Sequence, residues 1–154
     1  VYNSTNSYGL YMNSEATSKN VIYNVYNNTT SRGVYVNQGT MNFESGKTLS
    51  YDSQTSYGIQ MNNGTLNLGT EDGSGMDSAD VSTTDPYIEG IGTTTGIGVS
   101  MGNGTFNYYD GVLIGSTGSR GTNDITSMTE KNYQVITTID PNTGYETSIL
   151  EFIK

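Results

Sequence analysis

The chain has 154 residues, six basic and fifteen acidic side chains, a formal net charge of −9, and neither His nor Cys. That is the length of one domain or of one segment of a repeat array, and it excludes a Ser-His-Asp triad, a thiol nucleophile, a disulfide and any Cys- or His-type metal site; the scarcity of Lys and Arg also argues against direct nucleic-acid binding. Gly, Thr, Ser and Asn supply half of the residues and Ala only two, a mixture suited to short strands and tight turns rather than helices.

Repetition organises residues 1–120. Four segments align: YGLYMN from Tyr8, RGVYVN from Arg32, YGIQMN from Tyr57 and TGIGVSM from Thr95. Their anchoring glycines, Gly9, Gly33, Gly58 and Gly96, lie 24, 25 and 38 residues apart. A second element follows in three of them: GTMNF from Gly39, GTLNL from Gly64 and GTFNY from Gly104. Its threonine falls seven residues after the anchor at Thr40 and Thr65, and nine after it at Thr105. Apolar residues recur at every second position: Val34/Val36 with Met41/Phe43, Ile59/Met61 with Leu66/Leu68, and Ile97/Val99 with Phe106/Tyr108. This is the alternation of half-buried strands. A third apolar piece completes each unit, at 21–25, 49–51, 87–91 and 112–114.

Three short strands in each unit of roughly 24 residues predict an all-β fold, a parallel β-helix (β-solenoid). One unit cannot bury its own apolar side. Units stacked about 4.8 Å apart would bury a continuous column of Ile, Val, Leu, Met and Phe. Outward residues should then stack like on like: Thr40, Thr65 and Thr105; Asn42, Asn67 and Asn107; Asn13, Asn37 and Asn62.

The interval of 38 marks an insertion, a protruding acidic loop over residues 69–86 between the second and third strands of that unit. Residues 121–154 leave the repeat. Two alternating runs, QVITTI from Gln134 and YETSIL from Tyr145, flank the turn signal DPNTG at Asp140 and predict a β-hairpin. Ser127 and Glu130 have capping-box spacing for one helical turn before it. The tail is expected to cap the stack or to join it to a next module, because open strand ends invite pairing with other chains. The chain opens on Val1, without a signal peptide, and enters in mid-pattern. A processed chain, or a piece of a larger one, would look this way.

The segments NGTLNLG from Asn63, DVSTTDPYIEG from Asp80, GI from Gly96 and NGTFNYYDGVLIG from Asn103 resemble the β-helix repeats of large, adhesin-like cell-surface proteins of Gram-positive gut bacteria. The likeness spans residues 8–120 and continues weakly into the tail. It implies a right-handed parallel β-helix, an extracellular location at the bacterial surface or beyond it, and a structural or adhesive role. It supplies no catalytic residues.

Candidate chemistry is sparse. Asp72, Asp77, Asp80 and Asp85 offer oxygen ligands for Ca²⁺, but their spacing matches neither an EF-hand nor a calcium-binding β-roll, and a solvated loop is the plainer reading. A polysaccharide hydrolase or lyase needs carboxylates converging on one groove, often with a cation nearby. Here the only arginines are Arg32 and Arg120, and no Lys or Arg occurs from Thr48 to Ser119. Tyr11 and Tyr35 occupy equivalent outward positions on which a sugar ring could stack, but Gln60 and Gly98 follow there, so the stripe is short and an ordinary cross-strand pair is the plainer reading. The run of Thr93, Thr94 and Thr95 with the Thr column falls short of the repeated T-x-T of ice-binding solenoids. Sequons at Asn3, Asn27, Asn28, Asn63 and Asn103 are expected by chance in such a composition, and Asn63 and Asn103, each before Gly, fit strand corners.

The expectation is therefore a non-enzymatic segment with no cofactor, no metal, no nucleic acid and no membrane span. Its partners would be other modules of a longer chain and a host or cell-wall glycan or protein. The alternative is a carbohydrate-binding or carbohydrate-active β-helix.

Overall fold

Alternating apolar residues, broken at fixed intervals by Gly and Asn, produce eleven strands in the computed structural model, which describes residues 3–70, 84–121 and 133–152. In chain order they are β1 (Asn6–Met12), β2 (Ala16–Ser18), β3 (Val21–Tyr26), β4 (Thr30–Val36), β5 (Thr40–Phe43), β6 (Gly46–Leu68), β7 (Tyr87–Tyr108), β8 (Val112–Gly115), β9 (Gly118–Arg120), β10 (Tyr133–Ile139) and β11 (Glu146–Phe152). They form one largely parallel mixed sheet. Both β6 and β7 carry three of the predicted pieces in one continuous run.

Each piece pairs in parallel with its equivalent one repeat later. The glycine-anchored pieces run β1, β4, residues 55–61 of β6 and residues 95–101 of β7. The second pieces run β2, β5, then residues 65–68 and 105–108. The third run β3, then residues 46–51 and 87–90, then β8. Met12, Val34, Ile59, Val99, Phe43, Leu68, Ile88 and Leu113, drawn from all three sets, belong to one buried cluster.

The fourth repeat sits two residues further along than the sequence alignment places it. Tyr57 pairs with Ile97 and Ile59 with Val99. Val99 is buried and stacks on Ile59, whereas Ile97 is only half-buried. The anchor is thus Gly98 rather than Gly96, and Thr105 falls seven residues after it, as Thr40 and Thr65 do after theirs.

Two glycine columns explain how the pieces approach one another. A Cβ on the anchor Gly33 would lie 2.7 Å from Thr48 Cβ, and one on Gly58 would lie 2.6 Å from Ile88 Cγ2, so third-piece side chains occupy the space a side chain at the anchor would need. At the corner before the second piece, Gly64 and Gly104 both have φ of +124°, and a Cβ on Gly64 would lie 1.9 Å from the Gly39 carbonyl oxygen. Only glycine fits that conformation and that approach.

Not all of the interior is apolar. Ser7, Ser31 and Ser56 are buried and in register. Asn28, also buried, joins three successive repeats: its Oδ1 accepts from Ser4 N (2.8 Å) and Ser7 Oγ (3.0 Å), its Nδ2 donates to Ser31 Oγ (2.8 Å), and its backbone N donates to Ser53 Oγ (3.0 Å).

The predicted hairpin is present. β10 and β11 pair antiparallel, and β11 pairs antiparallel with β8, the last strand of the third set. Asp140 accepts from the backbone N of Asn142 (2.8 Å) in the turn, which holds its carboxyl below the ordinary carboxylate value. Glu146 of β11 accepts from Ser119 N (2.9 Å) and Ser119 Oγ (2.6 Å), tying the hairpin to β9. Tyr108 donates to the carbonyls of Gly111 (2.7 Å) and Ser148 (3.1 Å), tying it to β7.

Candidate binding face

The outward side of the glycine-anchored pieces carries an aromatic cluster. At each anchor the inward–outward alternation slips by one: Ser31 points in, Arg32 out, and after Gly33 Val34 points in again and Tyr35 out. The cross-strand register likewise steps over the glycine. Two residues three apart therefore face out together, and two columns lie side by side. One runs Tyr8, Arg32, Tyr57, Ile97; the other runs Tyr11, Tyr35, Gln60, Ser100.

Tyr11 and Tyr35, singled out by the sequence, do meet, with ring centroids 5.3 Å apart. Tyr8 completes a triangle with them, 5.5 Å from each. The guanidinium of Arg32 lies 5.2 Å from the Tyr8 ring, 5.4 Å from Tyr35 and 5.7 Å from Tyr57, within the range of cation–π attraction. Arg32 Nε donates to Gln60 Oε1, and Nη1 donates to Asn6 Oδ1 at 3.2 Å. Gln60, which shortens the tyrosine stripe, thus holds the arginine in place. The fourth residue of the stripe is Ser100, not Gly98, a consequence of the corrected register. A cavity of about 130 Å³ adjoins Tyr35 and Gln60 and continues to Ser100 and Gly102.

The predicted outward ladders are also present. Asn37 donates to Asn13 (2.8 Å) and Asn62 to Asn37 (3.3 Å); Asn67 donates to Asn42 (2.7 Å) and Asn107 to Asn67 (2.7 Å). Thr40, Thr65 and Thr105 stack in register, and so do Thr30, Thr55 and Thr95, a second column that the sequence alignment did not bring out.

Of the carboxylates considered for Ca²⁺, Asp72, Asp77 and Asp80 lie outside the described residues. Asp85 Oδ1 accepts from the backbone N of Gly46 at 2.6 Å. Among the described residues no three acidic side chains form a metal-holding group. The capping-box pair Ser127 and Glu130 also lies outside the described residues. Of the sequon asparagines, Asn28 is buried, Asn27 takes a left-handed corner (φ 56°), and Asn63 and Asn103 are exposed and stacked before Gly64 and Gly104. Among the described residues no helix is long and apolar enough to cross a membrane. No family model, curated protein or solved structure matches the chain.

Proposed function

We propose that this chain is a parallel β-helix segment of a secreted or surface-anchored bacterial protein, non-catalytic, with a structural and adhesive role. The observation that carries this reading is the parallel stacking of three sets of strands with one shared apolar cluster. Each repeat satisfies the main chain of the next, and the load along the stack passes through a ladder of hydrogen bonds in addition to side-chain contacts. Such a rod holds neighbouring modules of a longer chain apart and presents a rigid polar surface to a glycan or protein of a host or cell wall.

Limited trypsin digestion tests the stack. The bonds after Arg32 and Lys47 lie inside ladders and should survive prolonged exposure; early cuts at either would overturn the proposal. Incubation with pectin, alginate and mucin glycans tests the non-catalytic role. The expected result is no new reducing end and no unsaturated sugar, and release of either would replace this reading with a carbohydrate-active one.

The triangle of Tyr8, Tyr11 and Tyr35 beside Arg32 favours a second reading, glycan binding without catalysis. Tyrosine offers an apolar ring for the flat side of a sugar and a hydroxyl for its rim. Changing Tyr11 or Tyr35 to Ala should weaken any saturable signal on a glycan array.

A further inference from the structure

We propose that the tyrosine face selects acidic saccharides, with Arg32 as the residue that receives the sugar carboxylate; this inference rests on the glycan-binding reading. The four outward-facing pieces, residues 6–12, 30–36, 55–61 and 95–101, contain no Asp, Glu or Lys, so Arg32 is their only charged residue. Among the described residues Arg32 makes no ion pair; the one present joins Lys19 to Glu44. An acidic protein has thus placed a single cation, without a carboxylate partner among the described residues, among three tyrosine rings.

The hydrogen bonds of Arg32 leave three of its five N–H groups without a partner among the described residues. Nε is taken by Gln60 and one N–H of Nη1 by Asn6. The second N–H of Nη1 and both of Nη2 donate to no described residue, and a carboxylate accepts two parallel bonds from that pair of nitrogens. Gln60 and Asn6 hold the guanidinium at two of its nitrogens, so less side-chain entropy remains to be lost on binding. Tyr35 lies beside it, and Tyr11, half exposed, packs against Tyr35, the two forming the stacking surface for the sugar ring. The cavity along Gln60 and Ser100 extends the face in the direction of the next residue of a chain of sugars. The net charge of −9 does not cancel this, because at physiological salt the field of acids beyond roughly 8 Å is largely screened.

The test is an array in which each acidic saccharide (oligogalacturonate, oligoguluronate, sialyllactose) is printed beside its methyl ester, followed by titration of the strongest pair. The expected result is that the free acid binds about tenfold or more tightly than its ester, and that added salt weakens the acid but not the ester. Arg32→Gln should bring acid and ester within about twofold of each other. Arg32→Lys, which keeps the charge but loses the fork, should restore only part of the gap. Tyr11→Ala should weaken both ligands alike. Equal binding of acid and ester by the unaltered chain, or an acid preference that survives Arg32→Gln, overturns the role of Arg32 and leaves glycan binding standing. No binding of any saccharide overturns glycan binding itself.

Discussion

The side-chain amide of Asn107 donates to that of Asn67 at 2.7 Å across forty residues of sequence. Asn67 repeats the same contact with Asn42, so the middle amide donates on one side and accepts on the other. This is how a stack poor in aliphatic residues gains cohesion outside its core. The amide geometry also specifies register, because only a multiple of the repeat brings Asn onto Asn. Asn67→Asp should keep the bond accepted from Asn107 and lose the one donated to Asn42. We expect a loss of about 1–2 kcal/mol near neutral pH, partly recovered in acid as the new carboxyl protonates and can donate again. Urea unfolding at two pH values measures both, and an Asp variant as stable as the parent would show that the ladder contributes nothing.

The register of the fourth repeat gives a sharper test. Ile59 and Val99 are buried partners, while Ile97 lies over Tyr57 on the outer side. Ile59→Ala should cost about 3 kcal/mol or more and Ile97→Ala less than about 1 kcal/mol. Comparable losses would mean that the two isoleucines share one environment, as the sequence alignment has it.

That alignment shows what was legible and what was not. The strands, the glycine corners, the Asn and Thr ladders and the hairpin all follow from local pattern, because alternation and turn residues act over a few neighbours. Strict alternation puts Ile97 and Val99 on one side and so cannot tell the two registers apart; the slipped phase at Gly98 turns Ile97 outward and Val99 inward. Gly96 and Gly98 both precede an apolar residue, so either fits as the anchor. The one visible sign was the Thr105 interval of nine where its equivalents show seven. The binding face was half legible for a related reason. Strict alternation puts Tyr8 and Tyr11 on opposite sides, and only the slipped phase at Gly9 brings both outward, Tyr8 in one column with Arg32 and Tyr57 and Tyr11 in the next with Tyr35.

Buried serines separate two situations that sequence cannot. Ser31 Oγ is held by Asn28 Nδ2 (2.8 Å) and Ser53 Oγ (2.7 Å). Ser56, its partner in the next repeat, is equally buried, and its hydroxyl has no hydrogen-bond partner among the described residues. Removing a hydroxyl from a network strands its partners, whereas removing an unpaired one relieves a desolvated group. Ser31→Ala should therefore destabilise by about 1–3 kcal/mol and Ser56→Ala should be neutral or stabilising by up to about 1 kcal/mol. Thermal melts of the two variants decide this, and equal losses would show that Ser56 is satisfied in solution.

Tyr108 links the stack to its hairpin, and its ionisation gives a prediction in alkali. Burial, and then the charge of Asp110, push its phenol well above the ordinary value of 10.0, with Arg120 opposing. Tyr87 is raised in the same direction, first by burial and then by its hydrogen bond to Glu89. A folded pKa above the unfolded one means that the folded chain keeps a proton which the unfolded chain releases. Stability is then complete below about pH 10 and falls as pH rises past it, by up to about 1.4 kcal/mol per pH unit for the buried Tyr108 and by less for the more exposed Tyr87, whose electrostatics solvent screens. Tyr108→Phe removes one of these groups. It also loses the bonds to the Gly111 and Ser148 carbonyls, so it should be less stable near neutral pH by about 1–2 kcal/mol. Its unfolding free energy should nevertheless fall less steeply above pH 10 than that of the parent. Urea titrations from neutral to strongly alkaline pH would show the two curves converging, and parallel curves would mean that the Tyr108 phenol ionises as readily in the folded chain as in the unfolded one.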